Sequence, residues 1–122
     1  MISIERMHEM LEQIANTFPE EFYERLNGGI SLLPEVKVSA HARSNDLYVL
    51  GEYRRDMMGR YIVIYYGSFA RVHRGRSDSA VYEELRKTVA HEFTHHLEDL
   101  AGERDLERED ERDLDDYLHK NR

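Results

Sequence analysis

The sequence contains no cysteine. That absence excludes a disulfide framework, thiol catalysis and any zinc site built on Cys, and it suits a reducing compartment. Long apolar runs are also missing: nothing approaches the roughly 20 residues that a membrane span needs. The opening stretch, Met1 to Glu9, is mixed and polar and lacks the apolar centre of a secretory signal. The expectation is a cytoplasmic protein with no membrane partner. Positive charge is scarce, with 17 Lys and Arg against 25 Asp and Glu and a net charge of −8. Such a chain repels phosphate backbones, which argues against a nucleic-acid partner. What is present is ordinary for a globular chain: 122 residues, 40% hydrophobic and 34% charged. That length buries a core without staples and reads as one domain over 1–122.

Ile4, Met7, Leu11, Ile14, Ala15 and Phe18 recur at three- and four-residue steps, which predicts an amphipathic helix with Ser3 as its N-cap. Pro19 ends it and opens a second short helix carrying Phe22, Tyr23 and Leu26, stopped by Asn27-Gly28-Gly29. The apolar period then changes to two. Residues 30–40 read as extended chain, made an edge or an interrupted strand by Pro34, and residues 46–53 read as a second strand. Residues 54–59 read as a turn. Tyr61-Ile62-Val63-Ile64-Tyr65-Tyr66 is β-branched and aromatic throughout, the strongest strand signal, and Phe69 to His73 continue it after Gly67-Ser68. A helix capped by Asp78 or Ser79 runs from about Ala80 to Ala101, with Gly102 as its stop. A short acidic helix over 106–118 closes the chain. The sum is an α+β domain with a small twisted sheet, mixed or antiparallel, packed against an N-terminal helix and a long helix.

The sharpest chemical feature is His91-Glu92-Phe93-Thr94-His95. Histidines at i and i+4 project from one face of a helix, so both imidazoles can reach one metal ion. The Glu between them is placed to take a proton from a metal-bound water. On a helical wheel, Leu85, Val89, Phe93, Leu97 and Leu100 share one arc, and His91 and His95 lie nearly opposite it. His96 lies toward the apolar arc and reads as a packed, hydrogen-bonded residue. A catalytic zinc takes a third protein ligand and keeps one position for water. Glu98 shares the histidine face, but three donors strung along one straight helix do not converge. The third donor is therefore expected from chain that turns back at Gly102. Asp105 is the first choice, with Glu103, Glu107 and Glu109 as rivals.

Thr88 to His96 resembles the active-site helix of the bacterial minimal zincins, small zincin-like metallopeptidases with a His-Glu-x-x-His motif. Tyr48 to Tyr53 resembles that family's Leu-Gly-x-Tyr strand, Tyr61 to Tyr65 the strand before the active-site helix, and Phe18-Pro19-Glu20-Glu21 its acidic N-terminal helix. The family continues its motif with x-x-Gly-x-x-Asp. Here position 98 is Glu, and Gly102 and Asp105 arrive four residues late, about one helical turn. The resemblance implies a zincin-like fold with zinc as cofactor, His91 and His95 as ligands and Glu92 as base. It also implies an extended peptide or protein substrate along an edge strand, for which Tyr61 to Phe69 is the candidate. The first functional reading is a zinc-dependent metallopeptidase. The alternative is a non-catalytic metal-binding regulatory or interaction module on the same fold. A metal-dependent nuclease sits badly with the acidic charge.

Two features stand outside this site. Arg71, Arg74 and Arg76, with His73, form a local basic cluster that reads as a solvated loop, or as a holder for an anionic partner or the C-terminal acids. The run from Glu103 to Asp116 reads as the solvated side of a helix or as an interaction surface.

Overall fold

The computed structural model describes residues 1–40 and 47–120, the side chains as far as Leu106. Ser3 caps α1 (Ile4–Ala15), its hydroxyl accepting from the Arg6 amide at 3.1 Å. Met7, Met10, Leu11 and Ile14 form the buried stripe of α1. Pro19 then opens a single 3₁₀ turn, Glu20–Tyr23. It delivers Phe22 and Tyr23, with Phe18 before them, onto the ring of Phe93 at centroid distances of 5.0 to 5.5 Å.

Three strands follow: β1 (Ile30–Leu33), β2 (Gly51–Asp56) and β3 (Gly59–Tyr65). The order is β1-β3-β2, with β1 parallel to β3 and β2 antiparallel to it. The sheet is thus mixed and small, as the sequence indicates, but its edges differ from the expectation. The Tyr61 strand is the middle strand, with Ile62 and Ile64 fully buried, so its β-branched run is sheet interior. The exposed edge beside the long helix is β2. The second strand also starts and ends later than its pattern suggests. It includes residues 54–56, and the turn shrinks to Met57-Met58, where the Asp56 carboxylate accepts from the Met58 amide at 2.8 Å.

The chain leaves β3 directly into α2 (Tyr66–Val72), where a continued strand was expected. Gly67 explains the change. A Cβ there would lie 2.7 Å from the Glu35 backbone. The segment after β1 crosses at this point, and it is fixed by Gly67 N–H to Glu35 C=O (3.1 Å) and Lys37 N–H to Ser68 Oγ (2.9 Å). The Gly67-Ser68 pair is a crossing point, and the chain turns away there.

The last element, α3 (Asp78–Lys120), is one continuous helix. Its cap is Ser77, whose hydroxyl accepts from the Ala80 amide, one residue before the expected cap. Val81, Leu85, Val89, Phe93 and Leu100 are its buried face. Gly102 neither stops nor turns the helix, and there is no separate short C-terminal helix. A mid-helix glycine costs about 1 kcal/mol against alanine. Ion pairs on both sides of it, Asp99 with Arg60 and Glu103 with Arg60 and Arg25, tie that part of the helix to the body and offset the cost. Among the described residues, no helix is long and apolar enough to cross a membrane.

Candidate functional site

β2 runs along α3 because Gly51 lets it approach. A Cβ at Gly51 would meet Thr88 Cγ2 and Ile64 Cδ1 at 3.0 Å. Between the strand and the helix lies a cleft of about 480 Å³, lined by Gly51, Glu52, Tyr53, His91, Glu92 and His95. All three residues of the helical motif that carry chemistry therefore meet in one cavity.

His91 and His95 are exposed and face one another. Their Nε2 atoms lie 3.1 Å apart, and their rings are nearly perpendicular at 84°. Two imidazoles bound to one tetrahedral zinc at 2.0–2.1 Å hold their nitrogens about 3.3 Å apart. The pair is thus set at close to the separation that a shared ion requires. On the far side of one ring, Glu98 Oε2 stands 3.8 Å from His95 Nδ1, the location from which a carboxylate orients a ligating histidine.

Glu92 is buried, only 6% exposed. Burial pushes its carboxyl above the ordinary glutamate value. His91, His95 and a hydrogen bond from the Tyr53 amide oppose that shift, and the nearby Glu52 charge adds to it. The Tyr53 amide is free to do this because of strand alternation. Tyr65 N–H bonds to Leu50 C=O, which makes Glu52 and Arg54 the residues that exchange bonds with β3. Gly51 and Tyr53 then turn their backbone groups to the open edge. Glu52 lies at the rim, held by Lys37 and Arg54. Burial alone would raise its carboxyl, and these two cations hold it below the usual range.

The third donor is where structure and expectation part. Among the described residues, no three His, Asp or Glu side chains come together to hold a metal ion. Asp105 is exposed and stays on the continuous helix, ten residues past His95, or about 15 Å of rise. Without a turn at Gly102 nothing brings it back. Glu103 is occupied by Arg25 (2.7 Å) and Arg60 (2.9 Å). Glu107 and Glu109 lie outside the residues whose side chains are described.

Sequence reasoning missed the polar clamp under the cleft. His96 is fully buried, as its position on the wheel indicates. Its Nε2 donates to the Glu24 carbonyl at 2.8 Å, and its Nδ1 meets the Tyr53 hydroxyl at 3.0 Å. That hydroxyl also contacts Asp99 Oδ2 at 2.7 Å, and Asp99 accepts from Arg60 Nε and Arg55 Nη1, each at 2.9 Å. Burial pushes the Tyr53 hydroxyl well above its ordinary value, and Asp99 adds to the shift. Burial would raise the Asp99 carboxyl as well, but bonds from Arg60 and Tyr53, with Arg55 alongside, hold it below the usual range. The signal was Asp99 at i+3 from His96, on the face of α3 that meets β2. The pairing could not be seen without the register of β2.

No protein-family model matches the chain, and no curated protein does. Among solved structures, the chain is similar to a conserved hypothetical protein from Thermo thermophilus. The two are 32% identical with a TM-score of 0.72, over 83% of this chain and 99% of that one.

Proposed function

The chain belongs to the family of that Thermo thermophilus protein, and we propose that it is a zinc-dependent metallopeptidase of the minimal zincin kind. The observation that carries this reading is the cleft itself. A histidine pair at 3.1 Å, a desolvated glutamate and the open edge of β2 share one cavity. His91 and His95 would hold the metal, which supplies Lewis acidity toward a carbonyl and a lowered pKa for water. Glu92 is the base. Its raised carboxyl pKa brings it closer to neutral pH, where a general base works best. The Tyr53 amide hydrogen-bonds the Glu92 carboxylate and so helps to position it. The outward backbone groups of Gly51 and the outward carbonyl of Tyr53, whose amide is taken by Glu92, pair with an extended peptide, giving binding that tolerates many sequences.

One observation favours the alternative, a metal-binding regulatory or interaction module. With two imidazoles and no third donor assembled among the described residues, the coordination sphere is open to ligands from a partner. Metal content and peptide-library cleavage, measured together on wild type, Glu92→Gln and His95→Ala, separate the two. The peptidase reading expects zinc in wild type and Glu92→Gln, none in His95→Ala, and cleavage in wild type alone, with Glu92→Gln down by about 10²-fold or more. Zinc binding without cleavage in wild type overturns the enzyme and leaves the module. Zinc retained by His95→Ala overturns both.

A further inference from the structure

The seven other arginines with described side chains each lie within ion-pair distance of a carboxylate. Among the described residues, Arg71, Arg74 and Arg76 alone have no such partner. They are exposed and crowd the corner where α2 gives way to α3. Arg71 and Arg74 line a concavity of about 490 Å³ with Met1 and Ala70. Val72, 46% exposed, adds apolar surface beside them. His73 is buried among them, and that burial holds its imidazole below the ordinary value, with Glu84 opposing and Arg76 assisting. In a chain of net charge −8, three arginines at one corner with no carboxylate partner among the described residues are an anomaly.

The opposite end of the molecule carries the complement. Residues Glu103 to Asp116 contain nine carboxylates and three arginines. Arg104, within ion-pair distance of Glu24, and Leu106, 62% exposed, mark where the helix leaves the body. Because α3 is continuous through Gly102, the acidic run begins 25 residues past Asp78, about 40 Å of rise along the helix from the end beside the arginine corner. The expectation that the arginines hold their own chain's C-terminal acids is therefore ruled out by length.

We propose that the arginine corner is a docking site for the acidic helix of a second copy of this chain. A two-fold axis across α3 sets each copy's acidic end on the other's corner, so the same contact forms twice and the assembly closes at two. Arginine is favoured at such surfaces because its planar fork bonds carboxylates in pairs and sheds water easily. Exposed ion pairs are individually weak and are screened by salt. The dimer is accordingly a weak, salt-sensitive one, and it does not depend on the metal or on the peptidase reading.

Sedimentation velocity of the full chain tests this, at high protein concentration and in 50 mM and 500 mM NaCl (values chosen to span about a threefold range of screening length). The expected result is dimer at low salt and monomer at high salt. Arg71→Glu/Arg74→Glu/Arg76→Glu is monomeric in both, with an unchanged helical signal because these side chains are exposed. Asp110→Arg/Asp113→Arg/Asp116→Arg is likewise monomeric, and an equimolar mixture of the two variants regains the association that each has lost alone. A wild type monomeric at both salts overturns the proposal. So does a dimer indifferent to salt or to the arginine reversal, or variants that fail to rescue one another.

Discussion

His95 and His96 are neighbours in sequence and opposites in use. His95 is exposed and shares with His91 the mouth of a cleft. His96 is fully buried and fastens the helix to the Glu24 carbonyl and the Tyr53 hydroxyl. A rotation of about 100° per residue separates the two roles. The difference teaches that residue type alone says little about a histidine's role. The face of the helix decides whether the ring opens on a cleft or fastens the fold. It also shows how the site is built, since the buried ring and its partners hold β2 against α3, and β2 supplies the amide that meets Glu92.

The largest effect is expected where that division is tested directly. His96→Ala leaves a cavity and removes the bonds to the Glu24 carbonyl and the Tyr53 hydroxyl, a loss of about 3 kcal/mol in chemical denaturation. Metal affinity per folded molecule stays as it was. His95→Ala does the reverse: it removes metal binding and changes stability by about 0.5 kcal/mol or less, as exposed substitutions do. If the two variants gave similar stability losses, the two-face division of this helix would be wrong.

A smaller effect sharpens the comparison by pH. Glu92 and Asp99 are both partly sheltered carboxylates on α3, shifted in opposite directions. The folded state raises the Glu92 carboxyl, so between its unfolded and folded values the native protein binds more protons. Stability then falls as pH rises through that window. Asp99 is depressed, so its contribution is present above the ordinary aspartate value and is lost as pH falls through its folded value. In metal-free protein, urea denaturation at pH 7 should find Glu92→Gln more stable than wild type and Asp99→Asn less stable. At a pH below the ordinary glutamate value the Glu92→Gln gain disappears. A Glu92→Gln variant less stable than wild type at pH 7 would show that the ionised carboxylate is fully compensated in the cleft.

Much of this was legible in the sequence because it rests on local periodicity. The stripe of α1, the arc of Val89 and Phe93, and the opposite facing of His91 and His95 follow from counting threes and fours. What was not legible depends on contacts between distant segments. Tyr61 to Tyr65 reads as a strong strand, but no local property says that β1 and β2 flank it on both sides, which moves the open edge to Gly51–Asp56. Gly67 looks like an interruption of a strand until Glu35 is seen against it. The clamp of Tyr53, His96 and Asp99 joins residues 43 and 46 positions apart.

Gly102 is the smallest and sharpest case. As a local signal it is a stop, and the expected turn was to carry Asp105 back to the histidines. In the structure it is an interior helical residue, and a Cβ there would meet nothing within 4 Å. Gly102→Ala then relieves the entropic cost of glycine without a clash, and the protein gains up to about 1 kcal/mol. If Gly102 ended the helix in a left-handed conformation, the same substitution would lose stability, so the sign alone decides. Zinc content follows the same geometry. With Asp105 about 15 Å of helix beyond His95, Asp105→Ala keeps the metal content of wild type. Loss of zinc in Asp105→Ala, together with loss of stability in Gly102→Ala, would mean that the helix breaks at Gly102 when the metal binds.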